Sequence, residues 1–273
     1  MPPSKDETIA KLRDVWGSLD RLADGLLEEE WELPTDCPGW TVRDQLAHLL
    51  TGESLVSGES LPDHKMDPLP AYVRNDLGEF NEHAIDHWRT RPIHELIAAW
   101  HAMVRTRLAD LEAATDEDLA KDSWTPVGPG TVLDFLQVRI LDHWVHEQDI
   151  RRATGRAGGM EGSAAAHTID RLLIPLPRVV AKSAAAPDGA SVLLEIAGPV
   201  RRQVAVSVAE GRGQVVQRLS GAPTVRIRMD TEAFLILATG RRDPETVLPS
   251  GVVTLEGDTE LGAAVVRNLN IMI

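Results

Sequence analysis

Three side chains in the middle of the sequence have the spacing of metal ligands on one face of a helix. Asp142, His146 and Asp149 are separated by four and then three positions, so in a helix they lie along one stripe. A carboxylate and an imidazole one turn apart can reach the same divalent cation. His48, far upstream in an apolar helical segment, would supply a third ligand from a second helix. Three protein ligands with an open position are typical of a catalytic metal site, so the pattern predicts a metal-dependent enzyme.

Other histidines leave the ligand set open at this point. An aspartate and a histidine four positions apart also form ordinary surface pairs on many helices. His143 and His146 are three positions apart and could bind a metal without Asp142. His83 and His87 form a further pair, but the acidic residues beside them favour a solvated helix face.

The residues around the stripe have predicted supporting roles. Asp149, one turn beyond His146, is placed to hold the second nitrogen of a ligating imidazole. Arg152 and its basic neighbours follow at the end of the same helix. Arginines there suit carboxylate recognition, although they also complement the helix dipole. Cys37 precedes the helix of His48, and we interpret it as structural because no histidine and asparagine order of a cysteine protease accompanies it.

Composition excludes several classes of function. The chain has 273 residues, 43% hydrophobic content and a net charge of -14. Such an acidic protein is not expected to bind nucleic acid or anionic lipid. No apolar run has the length of a membrane span, the first residues lack the layout of a secretion signal, and one cysteine forms no internal disulfide. These features predict a cytoplasmic protein. Hydrolase elbow, P-loop and dinucleotide motifs are also missing from the sequence.

The first half of the chain is predicted to be helical. Apolar residues recur at intervals of three and four from Ile9 to Leu26, as on an amphipathic helix. Thr41 is a predicted N-cap, with Asp44 at the acidic position of a capping box. Further helices are predicted over 76–88, over 93–113 and from Thr131 to about residue 153, with a loop rich in Asp, Pro and Gly over 114–130.

The second half changes to short alternating segments. After a helical stretch over 164–182, the alternation of apolar and polar residues predicts strands over 192–196, 204–208, 214–218, 224–228 and 252–256. Helices are predicted over 231–239 and from Asp258 through Asn268. Helices followed by strands and helices indicate an α+β protein. We place the domain boundary so that residues 1–158 form the helical domain and residues 159–273 the α+β domain.

Four segments of the chain resemble those of a known family. The segments CPGWTVRDQLAH, from Cys37 to His48, and DHWVHEQDIRRATGR, from Asp142 to Arg156, are similar to those of the mycothiol-dependent maleylpyruvate isomerase group within the DinB-like metalloenzymes. The segments FLILATGRRDP at 234–244 and GDTELGAAVVRNL at 257–269 resemble that group's second domain, which is related to sterol carrier protein 2.

The resemblance implies a DinB-like four-helix bundle followed by a smaller sterol-carrier-like α/β domain. It implies a divalent metal, most often zinc, on His48, Asp142 and His146, with mycothiol as the thiol cosubstrate. The family usually has Glu where this chain has Asp142, which is one methylene shorter. His143 therefore stays an alternative ligand.

The expected chemistry is activation of a low-molecular-weight thiol. A metal-bound thiol loses its proton more readily than a free thiol, and the thiolate attacks an electrophilic carbon. We rank S-transfer first, thiol-dependent cis–trans isomerisation of the maleylpyruvate type second, and a non-catalytic small-molecule or lipid binder third. Arg241, by its chemistry and position, is the predicted substrate-carboxylate residue, reaching a pocket between the domains. Asp149 and Arg152 are predicted to contact the cofactor, and a monomer or homodimer is expected.

Overall fold

The structure is a computed structural model that describes residues 3–59 and 63–271. The chain divides into two compact units, the first ending at Gly159 and the second beginning at Met160. The first unit is built mainly from helices, and the second combines a sheet with short helices. The predicted α+β fold class is confirmed. No helix of the described chain combines the length and apolar character that crossing a membrane requires.

Four long helices form a bundle in the first unit. Helix α1 packs against α4 and α6, and α2 packs against the same two helices, so the four close into a ring. A further helix, α3, lies on α2. These helices span Lys5–Asp24 (α1), Val42–Val56 (α2), Asp76–Arg89 (α3), Ile93–Ala113 (α4) and Val132–Thr154 (α6), with the one-turn helix α5 at Asp116–Leu119 and a 3₁₀ turn at Glu28–Glu32.

The helices that carry the candidate ligands begin where the sequence predicts. Thr41 caps α2, and its backbone N–H donates to the carboxylate of Asp44 at 2.8 Å. Thr131 caps α6 in the same way with Asp134. Helix α6 ends at Gly155, whose positive φ of 65° suits a residue without a Cβ. These caps fix the ends of both helices and therefore the depth at which the ligands sit in the bundle.

The segment over 114–130 differs from the predicted loop. It contains α5 and an antiparallel hairpin of β1 (Asp122–Thr125) and β2 (Gly128–Thr131). Thr125 is buried and its hydroxyl donates to the carbonyl of Gly128 at 2.6 Å. Strands of four residues are too short to show a period of two in a sequence rich in Pro and Gly, which is why this hairpin was not predicted.

The second unit contains a five-stranded sheet of order β5-β4-β3-β6-β7, in which β3 and β6 are parallel and the other pairs antiparallel. The strands span Ser191–Ala197 (β3), Arg202–Ala209 (β4), Arg212–Val216 (β5), Val225–Asp230 (β6) and Thr254–Gly257 (β7). The helices are Ser163–Leu173 (α7), Leu176–Arg178 (α8), Thr231–Ala238 (α9), Pro244–Val247 (α10) and Thr259–Arg267 (α11), with a π-helical turn at Val179–Ser183 and a 3₁₀ turn at Leu248–Ser250.

The two faces of this sheet have opposite character. Val192, Leu194 and Ile196 of β3 are at most 3% exposed and lie on the same side as the buried residues of β6, against α9 and α11. The alternate positions carry charge, as in the ion pairs of Glu195 with Arg228 on the neighbouring strand. This alternation is the pattern that predicted the strands.

The predicted helix over 164–182 is instead divided into α7, α8 and the π-helical turn, because Pro175 and Pro177 interrupt it.

Candidate metal centre

Helices α2 and α6 bring three potential ligands together inside the bundle. The Nε2 atom of His48 lies 3.5 Å from Oδ2 of Asp142, and the Nε2 atom of His146 lies 3.5 Å from Oδ1 of the same carboxylate. All three ligand atoms lie within 4.8 Å of one another. His146 is buried, and the side chains of His48 and Asp142 are 13% and 17% exposed, so one side of the cluster remains open to a small ligand.

The spacing of these atoms fits a tetrahedral metal ion. Two ligand atoms that are each about 2.1 Å from a tetrahedral zinc ion lie about 3.4 Å apart. The two distances of 3.5 Å between imidazole nitrogens and carboxylate oxygens match that value. Two imidazoles and one carboxylate are also a donor set that zinc and similar ions accept. The residues present therefore fit a divalent metal ion.

The second nitrogen of His146 is held by a set of polar groups. Nδ1 of His146 lies in hydrogen-bonding contact with Oε1 of Gln45 and 3.4 Å from Oδ2 of Asp149. The amide nitrogen of Gln45 donates to the hydroxyl of Thr35 at 2.7 Å, which turns the amide oxygen toward the imidazole. These contacts favour a proton on Nδ1 and leave Nε2 available to a metal.

Cys37, His146 and Asp149 form a second group of possible ligand atoms within 4.8 Å of one another. The thiol of Cys37 is buried and lies 3.3 Å from Oδ2 of Asp149, a distance at which the thiol donates to the carboxylate. Hydrogen bonds account for this group without an ion. We therefore interpret it as support for His146, in agreement with the structural interpretation of Cys37.

Buried charges stand behind Asp142. The guanidinium of Arg139 donates to Oδ2 of Asp142 at 2.7 Å and to Oε1 of Glu53 at 2.7 Å. Arg107 on α4 donates to the other oxygen of Glu53 at 2.9 Å. Two arginines and two carboxylates thus form a connected chain of ion pairs from α4 through α2 to α6.

One wall of the site is an indole ring. The ring centroid of Trp40 lies 5.1 Å from that of His48 and 5.9 Å from that of His146, and it is stacked on the latter. Its Nε1 atom donates to the buried carboxylate of Glu82 on α3 at 2.5 Å. Arg89 binds both Glu82 and Asp44. The indole is therefore fixed from behind and covers both imidazoles.

The environment shifts the pKa values of the ligands in different directions. Burial lowers the pKa of His48, with Asp142 opposing the shift. Burial also disfavours the charged form of His146, but its contacts with Asp142 and Asp149 outweigh this and raise its pKa well above the ordinary value. The pKa of Asp142 is held well below its usual range because Arg139 and His48 outweigh the effect of burial. Asp142 is therefore an anion, and a metal would have to displace a proton from Nε2 of His146, while Nδ1 keeps its own proton.

The structure also locates the other residues predicted from sequence. The ring of His143 is fully buried, with Nδ1 at 2.8 Å from the carbonyl of Arg139 and Nε2 at 3.7 Å from Glu53. It joins neither of the candidate ligand groups found in the described residues, so the geometry favours Asp142 over His143 as the third ligand. Arg152 pairs with Asp36 at 3.1 Å and also with Asp149. This contact places Arg152 behind the residue that supports His146.

Arg241 lies in the second unit, just after α9 and Gly240. Its Nη1 atom donates to the carbonyl of Thr239 at 3.1 Å. The role of Arg241 in binding a substrate carboxylate remains a prediction.

Three neighbours of the ligands were not identified from sequence. Gln45 and Arg139 each lie three positions before a ligand, on the same helix face as His48 and Asp142 respectively. That spacing was a usable signal for both. Trp40 lies in the loop before α2, where no periodicity relates it to the histidines. Its position became visible only with the fold.

A helical bundle with two histidines and an acid at its centre, followed by a smaller α+β unit, defines the class of the protein. Residues 12–151, just over half of the chain, match the family model described as the mycothiol maleylpyruvate isomerase N-terminal domain. The chain therefore belongs to this family. Residues 178–270 match the SCP-2 sterol transfer family. The resemblance stated from the sequence motifs is confirmed in both units.

Solved structures show the same fold. Two crystal structures of mycothiol-dependent maleylpyruvate isomerase, one of them a mutant, are similar over 93% of this chain and 93% of theirs, with TM-scores of 0.57 and 0.56 and identities of 15% and 14%. Two uncharacterized proteins of Mycobacterium tuberculosis are 28% identical over 149 residues. That match covers 54% of this chain and only 56% of the length of those relatives.

Proposed function

We propose that this protein is a metal-dependent enzyme that activates a low-molecular-weight thiol and joins the intact thiol, through its sulfur atom, to an electrophilic small molecule. The observation that carries the proposal is the convergence of Nε2 of His48 and Nε2 of His146 on the two oxygens of Asp142. Family membership supports mycothiol as the thiol. Zinc is the metal that we expect, because the donor set contains two imidazoles and one carboxylate.

In this proposal the metal contributes one effect, which is to lower the pKa of a bound thiol so that the thiolate is present at neutral pH. The residues of the chain prepare the site for it. Gln45 and Asp149 hold the imidazole of His146 with Nε2 directed at the cluster. Trp40 covers the imidazoles and limits the access of water. The thiol proton leaves to solvent when the thiol binds. The thiolate sulfur then forms a bond to the electrophilic carbon, either while a leaving group departs with its bonding pair or while a π bond opens and takes up a proton from solvent.

A second candidate reaction is thiol-dependent cis–trans isomerisation. Its support is the family description and the crystal structures of maleylpyruvate isomerase, which have the same fold over 93% of this chain. In this reaction the thiolate adds to one carbon of a cis double bond conjugated to a carbonyl group, and the π electron pair moves onto the carbonyl oxygen. The resulting single bond rotates, and return of the electron pair expels the thiolate and gives the trans isomer. Both reactions begin with the same thiolate addition, so the site described above serves either of them. Arg241 is proposed to hold the substrate carboxylate in both cases.

The first experiment is elemental analysis of the purified protein together with His48→Ala, Asp142→Ala and His146→Ala variants. We expect about one equivalent of metal in the wild type and a loss in each variant. A matched control is His101→Ala, which should retain the metal, because His101 pairs with Asp20 and Asp24 and belongs to neither candidate ligand group of the described residues. A wild type that takes up no metal on reconstitution would contradict the proposal.

The two reactions are then separated by their products. The metal-loaded protein is supplied with mycothiol and either an electrophilic dye or maleylpyruvate. Stable consumption of the thiol with formation of a thioether supports S-transfer, because the thiol stays in the product. Conversion of the cis acid at constant thiol concentration supports isomerisation. His146→Ala should abolish whichever activity is found, and turnover by that variant would contradict the proposed site.

A further inference from the structure

Arg139 occupies an unusual position for a cation, because it binds the carboxylate that faces the metal site. It precedes Asp142 by one helical turn on α6, and its Nη1 atom lies 2.7 Å from Oδ2 of Asp142. That oxygen is also the one 3.5 Å from Nε2 of His48. A full positive charge is thus bound to one of the two oxygens that a metal would use.

The guanidinium is fixed rather than free to move aside. Its Nε atom donates to Glu53 at 2.7 Å, and Glu53 is in turn bound by Arg107 at 2.9 Å. The side chain of Arg139 is 10% exposed and that of Glu53 is fully buried. An ion pair in such surroundings is weakly screened by solvent. Arg139 therefore acts on Asp142 as a permanent charge.

Helix α2 leaves space for this guanidinium. A Cβ atom at Gly52 would lie 2.8 Å from Nη2 of Arg139 and 3.1 Å from its Cζ atom. Gly52 has an ordinary helical conformation, so a positive φ does not explain the glycine there. Glycine inside a helix costs about 1 kcal/mol relative to alanine. The close approach of Arg139 gives a physical reason for a glycine at this position.

We propose that Arg139 is a resident counter-ion of Asp142 that weakens the affinity of the site for a divalent cation and keeps the metal exchangeable. This inference rests on the proposed function. Without a metal, the two arginines and two carboxylates of the cluster balance each other, so the site is assembled before the ion arrives. Arg139 would repel a divalent cation held by His48, Asp142 and His146, because both carry positive charge.

The contact of Arg139 with Asp142 also bears on thiol activation. A carboxylate that is already bound to a guanidinium gives less electron density to a metal than a free carboxylate does. A metal held by Asp142 would then keep more of its positive charge, which would favour the thiolate form of a bound thiol. Groups that surround metal ligands are known to adjust the properties of the ion in this way. Arg139 is therefore a positioning and tuning residue, without contact with the substrate.

The test compares the affinity of chelator-treated wild type and Arg139→Gln for zinc alone, measured by competition with a chromophoric chelator. Glutamine can still donate to Asp142 or Glu53 but carries no charge. We expect Arg139→Gln to bind zinc about 10-fold to 100-fold more tightly, a change as large as the loss that usually follows removal of a partner of a metal ligand but opposite in sign. A residue that merely held Asp142 in place would give the opposite change, because its loss would weaken binding.

Two control variants separate charge from structure. Arg139→Lys keeps the positive charge while losing the fork that bridges two carboxylates, and it should bind zinc with an affinity close to that of the wild type. Arg107→Gln removes the other cation on Glu53 but leaves the Arg139–Asp142 pair, so its zinc affinity should stay within about threefold of the wild-type value because Coulomb interactions fall with distance.

Gly52→Ala replaces Arg139→Gln as the test variant if Arg139→Gln does not fold. Its methyl group displaces the guanidinium, so it should bind zinc more tightly than the wild type.

The outcomes distinguish this inference from the proposed function. Zinc bound by the wild type but bound equally or less tightly by folded Arg139→Gln would overturn the role of Arg139 and leave the metal site standing. No zinc bound by either protein would overturn both. Zinc bound only by Arg139→Gln or Gly52→Ala would contradict the proposed function, because the wild type would hold no metal, and it would also overturn an exchangeable metal as the consequence of Arg139.

Discussion

Gln45 on α2 accepts a hydrogen bond from Nδ1 of His146 on α6. The contact joins two helices far apart in sequence and sets which nitrogen of the imidazole faces Asp142. Gln45 therefore has the orienting role that a carboxylate or a backbone carbonyl often has beside a histidine ligand.

We predict that Gln45→Leu weakens zinc binding by about 10-fold to 100-fold, because the imidazole loses the partner that fixes its orientation. The measurement is chelator competition on folded protein. Gln137→Leu is the matched control, since Gln137 is also buried on a bundle helix but donates to Thr8. It should lose stability without losing zinc affinity. Equal affinities for Gln45→Leu and the wild type would show that Asp149 alone orients His146.

Trp40 should report on the occupancy of the site by its fluorescence. Co²⁺ quenches the fluorescence of a nearby indole, and the ring centroid of Trp40 lies 5.1 Å and 5.9 Å from the centroids of the two imidazoles. We expect Co²⁺ titration to quench part of the wild-type emission and to quench Trp40→Phe much less. Trp124→Phe is the control, because Trp124 is 63% exposed on the β1–β2 hairpin. Quenching that survives in Trp40→Phe would place the ion elsewhere.

His143 should make the bundle sensitive to mild acid. Burial and the nearby Arg139 lower its pKa to about 4 in the folded protein, from an ordinary value of 6.5. Between these values the unfolded chain binds a proton that the folded chain does not, so the free energy of unfolding falls as pH is lowered from 6.5 to 4. The expected loss is a few kcal/mol at most. Urea unfolding at several pH values measures it.

His143→Gln should be less stable than the wild type near pH 7, yet lose less stability than the wild type between pH 6.5 and 4. The difference between the two proteins isolates His143 from the other histidines. Below pH 4.5 both should lose further stability, because Arg139 and Arg107, which both proteins keep, oppose the effect of burial and favour a pKa of Glu53 below its ordinary value. Parallel stability curves for the two proteins above pH 4.5 would contradict the assignment to His143.

Gly39 should tolerate no side chain. Its φ is 78°, and a Cβ atom there would lie 2.2 Å from Cε1 of Tyr72. We predict that the backbone strain in Gly39→Ala lowers the free energy of unfolding by about 1–3 kcal/mol. The contact adds a further loss, because the ring of Tyr72 must move. Gly155→Ala supplies the comparison, since Gly155 has a φ of 65° with open space around it. Thermal unfolding that is equal for both variants would refute the contribution of the contact.

The helix ends could be predicted from sequence because each depends on a few adjacent residues. Thr41 with Asp44, and Thr131 with Asp134, form caps whose partners are three positions apart. The alternation of β3 likewise reflects a single property, which is the burial of one face. The four segments that resemble the family belong to this group of local signals.

The contacts that direct the groups around the ligands could not be predicted, because they depend on packing between helices. Arg139 lies next to Asp142 in the helix, but its direction is set by Glu53 on α2 and by the gap at Gly52. The contact of Cys37 with Asp149 joins a loop to the far end of α6. Neither relationship leaves a period or a fixed spacing in the sequence.

The origin of the three ligands on two helices has a mechanical consequence. Asp142 and His146 share α6, whose own geometry fixes their separation, whereas the reach to His48 depends on how α2 packs against α6. A bound ion would therefore act as a reversible cross-link that clamps the two helices, and by mass action it would raise the melting temperature of the first unit as its concentration rises. Loosening the packing of α2 against α6 should therefore release the ion without touching any of its ligands.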